Sequence, residues 1–502
     1  LLLRRFPELF SPESRAQWFR SSAFGVSRGL HWSQEEQVAA MRSAYAEELA
    51  ALERKRLEAE VSNDQQSLAE ALEELSEIED RVGRDRLGAL KSDIARVPRD
   101  QLLPAAERLM ALHATSRALL EVQFEGESGF GTGVTQNFYS AVANELLKAN
   151  VQAALPIWMA ETAGAAEDGF IQYPTGALFP MPLSSSAPAS HCTAVCERFR
   201  FLGRLMAKAC RDNFIVPLPL SRDFLHLVRG GSLSYASLPP LGSTGGVASG
   251  YAAVALRLAA VDKQAASEAQ RRKLYEQVAD EEFASSHMRM SSRLSLREWL
   301  AAGDCCFVCP VTGHKLCQGG EQRELSVHNL PEYMHLLSQF WLCDGVAAQA
   351  EAFRAGLEEV FPPSMLEPFS LHELQTLLCG TMRIEWTEAE LQRHIHPTGG
   401  YTKHSKVYQL LLDELQRMGN AERRHFLNFV TACPHLPPVG LSMLEIEVLP
   451  QTSGSQLPTA QTCGNKLYLP DYTEAAMLNA GLAEAFANAD FGGLHEGLGR
   501  AS

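Results

Sequence analysis

The sequence predicts a mostly helical α+β protein, with a large helical domain, a hinge near residue 380 and a small α+β domain at the C-terminal end. Three observations carry this. Residues 34–95 are rich in Ala, Glu, Leu, Lys and Arg and contain no proline. Phe201, Leu202, Leu205, Met206 and Cys210 share one helical stripe, the pattern of a core-facing helix. Strand-like runs, Leu444–Leu449 and Lys466–Leu469, come late and are followed by a helix expected at 474–487.

The elements follow in order. Residues 1–33 hold a compact aromatic segment, Phe6, Phe10, Trp18, Phe19, Phe24 and Trp32. In the stretch after it, Leu68, Leu72, Leu75 and Val82 recur at spacings of 4, 3 and 7, which predicts an amphipathic helix. It reads as a solvated helical insert, with a partner-binding coiled segment as the sharper alternative. From 103 onward the pattern is globular. Gly129-Phe130-Gly131-Thr132-Gly133 resembles a phosphate cradle only superficially, because no Lys-Ser/Thr follows it, and it reads as a backbone turn. Residues 231–250 form a Gly/Ser/Pro loop without periodicity. Helical residues 331–380 end at Gly380, the usual type just past a helix end. Helices at 405–418 and 421–430 then open the last unit.

Composition narrows the function classes. At 502 residues and 46% apolar, the chain has material for more than one core. A formal charge of −15 lacks the basic field that phosphates require, so nucleic acid is not an expected partner. No apolar run approaches the roughly 18–20 residues of a membrane span, so no membrane is expected either. The opening Leu1-Leu2-Leu3-Arg4-Arg5 carries its charge on the wrong side for a signal peptide. With no initiator Met, the sequence is expected to be the C-terminal part of a longer protein. Eleven cysteines, odd in number and irregular in spacing, do not form a disulfide framework, which implies a reducing compartment.

Two cysteine groups remain. Cys306, Cys309, His314 and Cys317, with Cys305 adjacent, approach a zinc-knuckle spacing. Their last gap is short, and Pro310, Gly313 and Gly319-Gly320 fit a simple turn, the preferred reading. The histidines of Leu391–His396 and His404 read as surface or capping residues. No G-x-S-x-G elbow occurs, so a serine hydrolase lacks support. Cys463 is different. It lies between two Leu-Pro brackets, Leu457-Pro458 and Leu469-Pro470, just before a strand-like run, as a thiol held at a fixed turn would.

LPTAQTCGNKLYLPDY (457–472) resembles the thioester-cysteine motif of HECT-type ubiquitin-protein ligases, L-P-x-[AS]-x-T-C-x-N-x-L-x-L-P-x-Y. RFLGRLMAKACRDNFIVPLPLSRDF (200–224), AFRAGLEEVFPPSMLEPFSLHELQTLLCG (352–380), GGYTKHSKV (399–407) and ERRHFLNFVTACPHLPPVGL (422–441) resemble that family in the same order. FPELFSPESRAQWFRSSAFGVSRGL (6–30), SRALLEVQFEGESGFGTGVTQNFYSAV (116–142) and SVHNLPEYMHLL (326–337) resemble its ubiquitin-fusion-degradation and thyroid-receptor-interactor branch.

The resemblance implies a bilobal domain: an N-terminal helical extension (1–99), a large helical N-lobe (100–380) and a small α+β C-lobe (384–502) on a flexible hinge. It implies that residues of about 270–345 recruit the conjugating enzyme. Cys463 would accept ubiquitin from that charged enzyme as a thioester and pass it to lysines of protein substrates, with no cofactor and no metal. Thr462 would orient the sulfur and Asn465 would fix the turn. Asp471, Glu474 or Asp490 would accept the lysine proton. A cytoplasmic or nuclear location, or both, follows. Three departures stand out: Gln461 where many members have His, a tail of eleven residues after Phe491, and Thr431-Ala432-Cys433 where Thr-Gly is usual, which expects a negative φ at Ala432. Segment 380–383 is expected to carry few packed contacts. The competing readings are a non-catalytic scaffold that binds ubiquitin or the conjugating enzyme, and a zinc-dependent regulatory module on Cys306, Cys309, His314 and Cys317.

Overall fold

A computed structural model describes residues 2–83, 90–160, 169–171, 177–233, 254, 257–280, 295, 297–298, 300, 306–438, 440–452 and 454–490. Most of the 231–250 loop, Cys305, Phe491 and the tail after it lie outside the described residues, as does the side chain of Asp490. The chain forms two compact units. One takes Leu1–Asn144, Arg204–Leu218 and Glu359–Ser502, and the other Glu145–Gly203 and Pro219–Glu358.

After two short helical turns, Leu2–Arg5 and Pro7–Leu9, the first unit continues with helices Pro12–Phe24, Val26–Ala44, Ala46–Ser62 and Gln65–Gly83. Ser11 caps the first of these by accepting from the Ser14 N–H, with Pro12 at the position where a missing N–H costs nothing. Phe19, fully buried, packs edge-on against Phe24, Phe361 and Phe369. The last two helices of this group pack as a hairpin on Leu52 and Ile78, with Val38, Tyr45, Leu49 and Leu75 around them. The stripe expected through Leu72 is displaced: Ala71 and Ile78 are buried and Leu72 is 48% exposed. Spacings of three and four from Leu68 reach Ala71, Leu75 and Ile78, and Leu72 stands one residue, about 100°, round the helix.

Strands β1 (Ser92–Val97) and β2 (Leu119–Phe124) pair in parallel across helix Leu102–His113. Beneath them lies a buried charged knot. Asp212 accepts from Arg28 Nη1 (3.0 Å), Lys208 Nζ (3.0 Å) and the Leu120 N–H (3.0 Å). Lys208 also donates to the carbonyls of Ser116 and Ala118, and Arg211 to those of Ala114, Thr115, Ser116 and Val360. The knot thus saturates its charges, the condition under which buried ions are tolerated.

Within this unit residues 384–486 close a core of their own around Leu411, Phe426, Ile446, Leu467 and Leu478. Its sheet runs β3 (Ile395–Pro397), β4 (Ile446–Pro450), β6 (Lys466–Leu469), β5 (Thr459–Gln461), in the order β3-β4-β6-β5, antiparallel only at the β5–β6 pair. Helices Glu388–His394, Lys406–Arg417, Asn420–Thr431 and Ala475–Asp490 surround it. Helix Asn420–Thr431 ends at Ala432, whose φ of 59° is left-handed, against the expected negative value. Ala432 closes that helix by donating its N–H to the Asn428 carbonyl, a role glycine fills without strain.

Helix Leu371–Cys379, opened by a Ser370–Glu373 capping box, ends at Gly380 with φ 73° and ψ 177°. The residues after it are tied down, against expectation. Thr381 donates its N–H to the Leu436 carbonyl (2.8 Å), and His435 Nδ1–H donates to the Cys379 carbonyl (2.6 Å).

The second unit is helical. The part of helix Ala189–Arg211 up to Gly203 and helices Arg222–Val228 and Ala347–Glu358 contribute Phe199, Phe224 and Phe353, which stack edge to face in series with Trp158. The unit also holds helices Ala149–Ala154, Glu268–Asp280 and Leu330–Gln339, the last running into a π-turn at Phe340–Asp344.

Candidate functional site

The β5–β6 hairpin carries Cys463 on the loop Thr462–Asn465. Alternation along β6 sends Leu467 and Leu469 into the core, both fully buried, and leaves Lys466 and Tyr468 on the other face. Asn465 adopts φ 51°, which its short polar side chain tolerates, and its Nδ2 donates to the Leu444 carbonyl. The Gly464 N–H closes the turn on the Gln461 carbonyl at 3.2 Å. The brackets are anchored too. The Tyr472 hydroxyl donates to the Gln456 carbonyl (2.7 Å), that of Tyr401 to the Leu469 carbonyl (3.1 Å), and Pro458 is buried.

Cys463 is free and exposed. Its sulfur accepts from Gln461 Nε2 at 3.4 Å, and Gln461 Oε1 accepts from the Tyr468 hydroxyl at 3.3 Å. Thr462, half-buried, makes no hydrogen bond to the sulfur among the described residues, so that contact belongs to Gln461. Asn465 sits where it fixes the turn. Asp471 and Glu474 are exposed and form no hydrogen bond with the sulfur among the described residues. The charge of Asp471 is felt instead by Tyr401, whose hydroxyl is pushed up to about 12, first by burial and then by that carboxylate.

The loop is seated on a distant part of the same unit. Gly131 (φ 98°) and Gly133 open helix Thr132–Leu147. A Cβ on Gly133 would stand 2.6 Å from both the Cys463 nitrogen and the Thr462 carbonyl carbon, so only glycine permits this approach. The glycine turn is itself held: Thr135 Oγ1 donates to the Gly131 carbonyl (3.2 Å) and accepts from the Val122 N–H (3.0 Å). Gln136 exchanges two hydrogen bonds with the Ile215 backbone. The run is therefore a turn, and what it cradles is the peptide before Cys463.

A cleft of about 1800 Å³ opens beside the loop, with Gly133, Thr462 and Asn465 on its walls. His394 and His396 also line it. They are not surface residues: each is 14% exposed, and His394 Nδ1 and His396 Nε2 meet the two oxygens of Glu445 at 2.8 and 2.5 Å. His404 is exposed, as expected. His435, buried, is pushed down to about 4 by desolvation.

The second cysteine group does not assemble. Cys309 is buried and its sulfur accepts from Trp341 Nε1 at 3.0 Å, while the His314 ring stacks on Phe340 at 4.0 Å. Cys306 and Val308 pair with Glu324 and Lys315 in a short hairpin. Among the described residues no three Cys, His, Asp or Glu side chains converge as metal ligands.

Comparison with known proteins adds the family. The model for the HECT-domain (ubiquitin-transferase) matches residues 158–493. The chain is 32% identical over 404 residues to the E3 ubiquitin-protein ligase TRIP12 of Danio rerio, covering 76% of this chain and 19% of the relative. It is 29% identical to the E3 ubiquitin-protein ligase hecd-1 of Caenorhabditis elegans (98% and 19%). It is 26% identical to the ubiquitin fusion degradation protein 4 of Saccharomyces cerevisiae (96% and 29%). The chain thus spans less than a third of the length of these relatives.

Proposed function

Since the chain belongs to the HECT family of ubiquitin transferases, in its ubiquitin-fusion-degradation and TRIP12 branch, we propose that Cys463 is the residue that carries ubiquitin. The observation that supports this most is the construction around one exposed thiol: a hairpin loop fixed by the small domain's core, seated on Gly133, beside an open cleft. The Cys463 sulfur attacks the glycyl carbonyl of ubiquitin held as a thioester on a conjugating enzyme. A new S–C bond forms, the old one breaks, and the conjugating enzyme's cysteine departs as thiolate. One thioester replaces another, so the exchange is close to thermoneutral, and the protein contributes chiefly by positioning. A lysine amine of a protein substrate then attacks the same carbonyl, its proton leaves to a base, and Cys463 is released.

Residues of about 270–345 form the surface we assign to the conjugating enzyme, and the small domain of residues 384–502 delivers the thiol. The protein acts in the cytoplasm or nucleus, where its thiols stay reduced. The test is a non-reducing gel after mixing with charged conjugating enzyme. Wild type gains a ubiquitin adduct that thiol reductant removes, Cys463→Ala gains none, and Cys463→Ser gains a reductant-resistant oxyester. A labile adduct on Cys463→Ala would remove the assignment.

A further inference from the structure

Gln461 stands immediately before the Thr462-Cys463 pair, where the resemblance leads one to expect histidine. Its carboxamide is a bridge, receiving the Tyr468 hydroxyl on Oε1 and presenting Nε2–H to the Cys463 sulfur. An ionised sulfur can only accept, so the NH₂ group faces it and the carbonyl oxygen is left to accept from the Tyr468 hydroxyl. The register produces this geometry. Gln461 lies opposite Lys466 across the antiparallel β5–β6 pair, so Tyr468 is its diagonal neighbour on the same face, within reach of an aromatic side chain.

We propose that Gln461, oriented by Tyr468, is a positioning residue for thioester exchange: it holds the sulfur in its attacking orientation and donates a hydrogen bond to it when it is ionised. The proposal rests on Cys463 being the ubiquitin acceptor. Hydrogen bonds to an ionised acceptor are about twice as strong as neutral ones, so the contact strengthens as the thiolate forms. Unlike an imidazole, an amide does not titrate, so the donor is the same at every working pH. In the exchange itself the sulfur pair goes to the glycyl carbonyl carbon, and the conjugating enzyme's sulfur leaves with its bonding pair. Gln461 keeps its proton throughout.

Two sets of nearby charges are paired. Lys466 meets Glu447 of β4 at 3.0 Å on the hairpin face. His394 and His396 hold Glu445, and Arg393, Lys403 and His404 also line the neighbouring cleft. The turn packed against the loop, Gly131–Gly133, brings no charge. These groups are common to wild type and variants, so a difference between them reports the residue at 461.

The experiment uses the whole chain carrying Gln461→Glu, Gln461→Met or Tyr468→Phe, with Cys463→Ala as the reference. Two rates are measured from pH 6 to 9: iodoacetamide alkylation of the Cys463 peptide by mass spectrometry, and single-turnover ubiquitin acceptance at saturating charged conjugating enzyme. Gln461→Glu keeps the shape but replaces the donor with a carboxylate, and is expected to slow both by about tenfold at pH 7.5. Gln461→Met, which only removes the donor, is expected to slow both by about threefold, and Tyr468→Phe by about twofold. The Gln461→Glu deficit in alkylation should shrink toward pH 9, as rising pH ionises the sulfur in wild type and variant alike, which a purely structural loss would not do. Wild-type rates in both Gln461→Glu and Gln461→Met overturn the proposal. The thioester reading fails separately, on a reductant-labile adduct formed by Cys463→Ala.

Discussion

Gly133 and Cys463 meet backbone to backbone: a Cβ on the glycine would lie 2.6 Å from the cysteine's nitrogen. Nothing in the helical start at Gly133 needs glycine for its own conformation, and alanine is the better helix former. Gly133→Ala is therefore a selective probe of the seat. We expect overall unfolding to change little, iodoacetamide alkylation of Cys463 to stay within about twofold, and single-turnover transfer through Cys463 to fall at least tenfold, about 1.4 kcal/mol of barrier. Unchanged transfer would mean that the seated arrangement takes no part in the reaction.

The link between helix Leu371–Cys379 and the small domain gives a second expectation. Gly380 lies in a backbone region that only glycine occupies readily, and a Cβ there would stand 2.8 Å from His435 Cβ and 2.9 Å from the Leu436 carbonyl oxygen. Gly380→Ala should destabilise by about 2–3 kcal/mol, seen as an earlier urea midpoint. Four prolines across 380–383 should do worse, since they also remove the Thr381 N–H that bonds to Leu436. A midpoint equal to wild type would show that this link is loose.

Acid should weaken the same junction. His435 is neutral in the fold because burial depresses it from 6.5 to about 4, while the unfolded chain binds a proton below about 6.5. Its contribution is therefore fully present above pH 6.5 and is lost as pH falls toward 4, in all roughly 3 kcal/mol. Between pH 7.5 and 5, wild type should lose about 2 kcal/mol more than His435→Gln, measured by urea denaturation at each pH. Parallel losses would assign the acid sensitivity to other groups.

Ala432 offers a gain. A left-handed alanine costs about 1–2 kcal/mol, and its buried methyl returns about 0.8 kcal/mol. Ala432→Gly should raise the urea midpoint by the equivalent of about 0.5–1 kcal/mol without changing transfer through Cys463. A lower midpoint would show that the methyl group matters more than the strain.

The parts that were legible in the sequence are those set by local pattern. Leu467 and Leu469 alternate with half-buried Lys466 and Tyr468, so β6 was readable as Lys466–Leu469, and the helix before Gly380 ended where its glycine says. Strand β3 was hidden because its three residues, Ile395–Pro397, sit in a histidine-rich run whose rings turn inward to Glu445. Strand β1 was hidden because Ile94, its most apolar residue, faces outward at 60% exposure. Ala432 misled because tertiary packing imposes a φ that its residue type disfavours. Cys463 was legible from its own neighbours, but Gly133 was not, since no local periodicity reports a contact between segments so distant in the chain. Gln461 and Tyr468 become visible as partners only once the β5–β6 register is known.

The most direct test of the central claim is to locate the ubiquitin on the chain. Cys463→Ser is charged by conjugating enzyme and ubiquitin, digested with trypsin, and the Gly-Gly remnant is mapped by mass spectrometry. If Cys463 carries ubiquitin, the remnant is an oxyester on the residue at 463, and intact wild-type protein gains a reductant-labile adduct of the same mass. A labile adduct retained by Cys463→Ala, or a remnant mapped to another of the eleven cysteine positions, would contradict it.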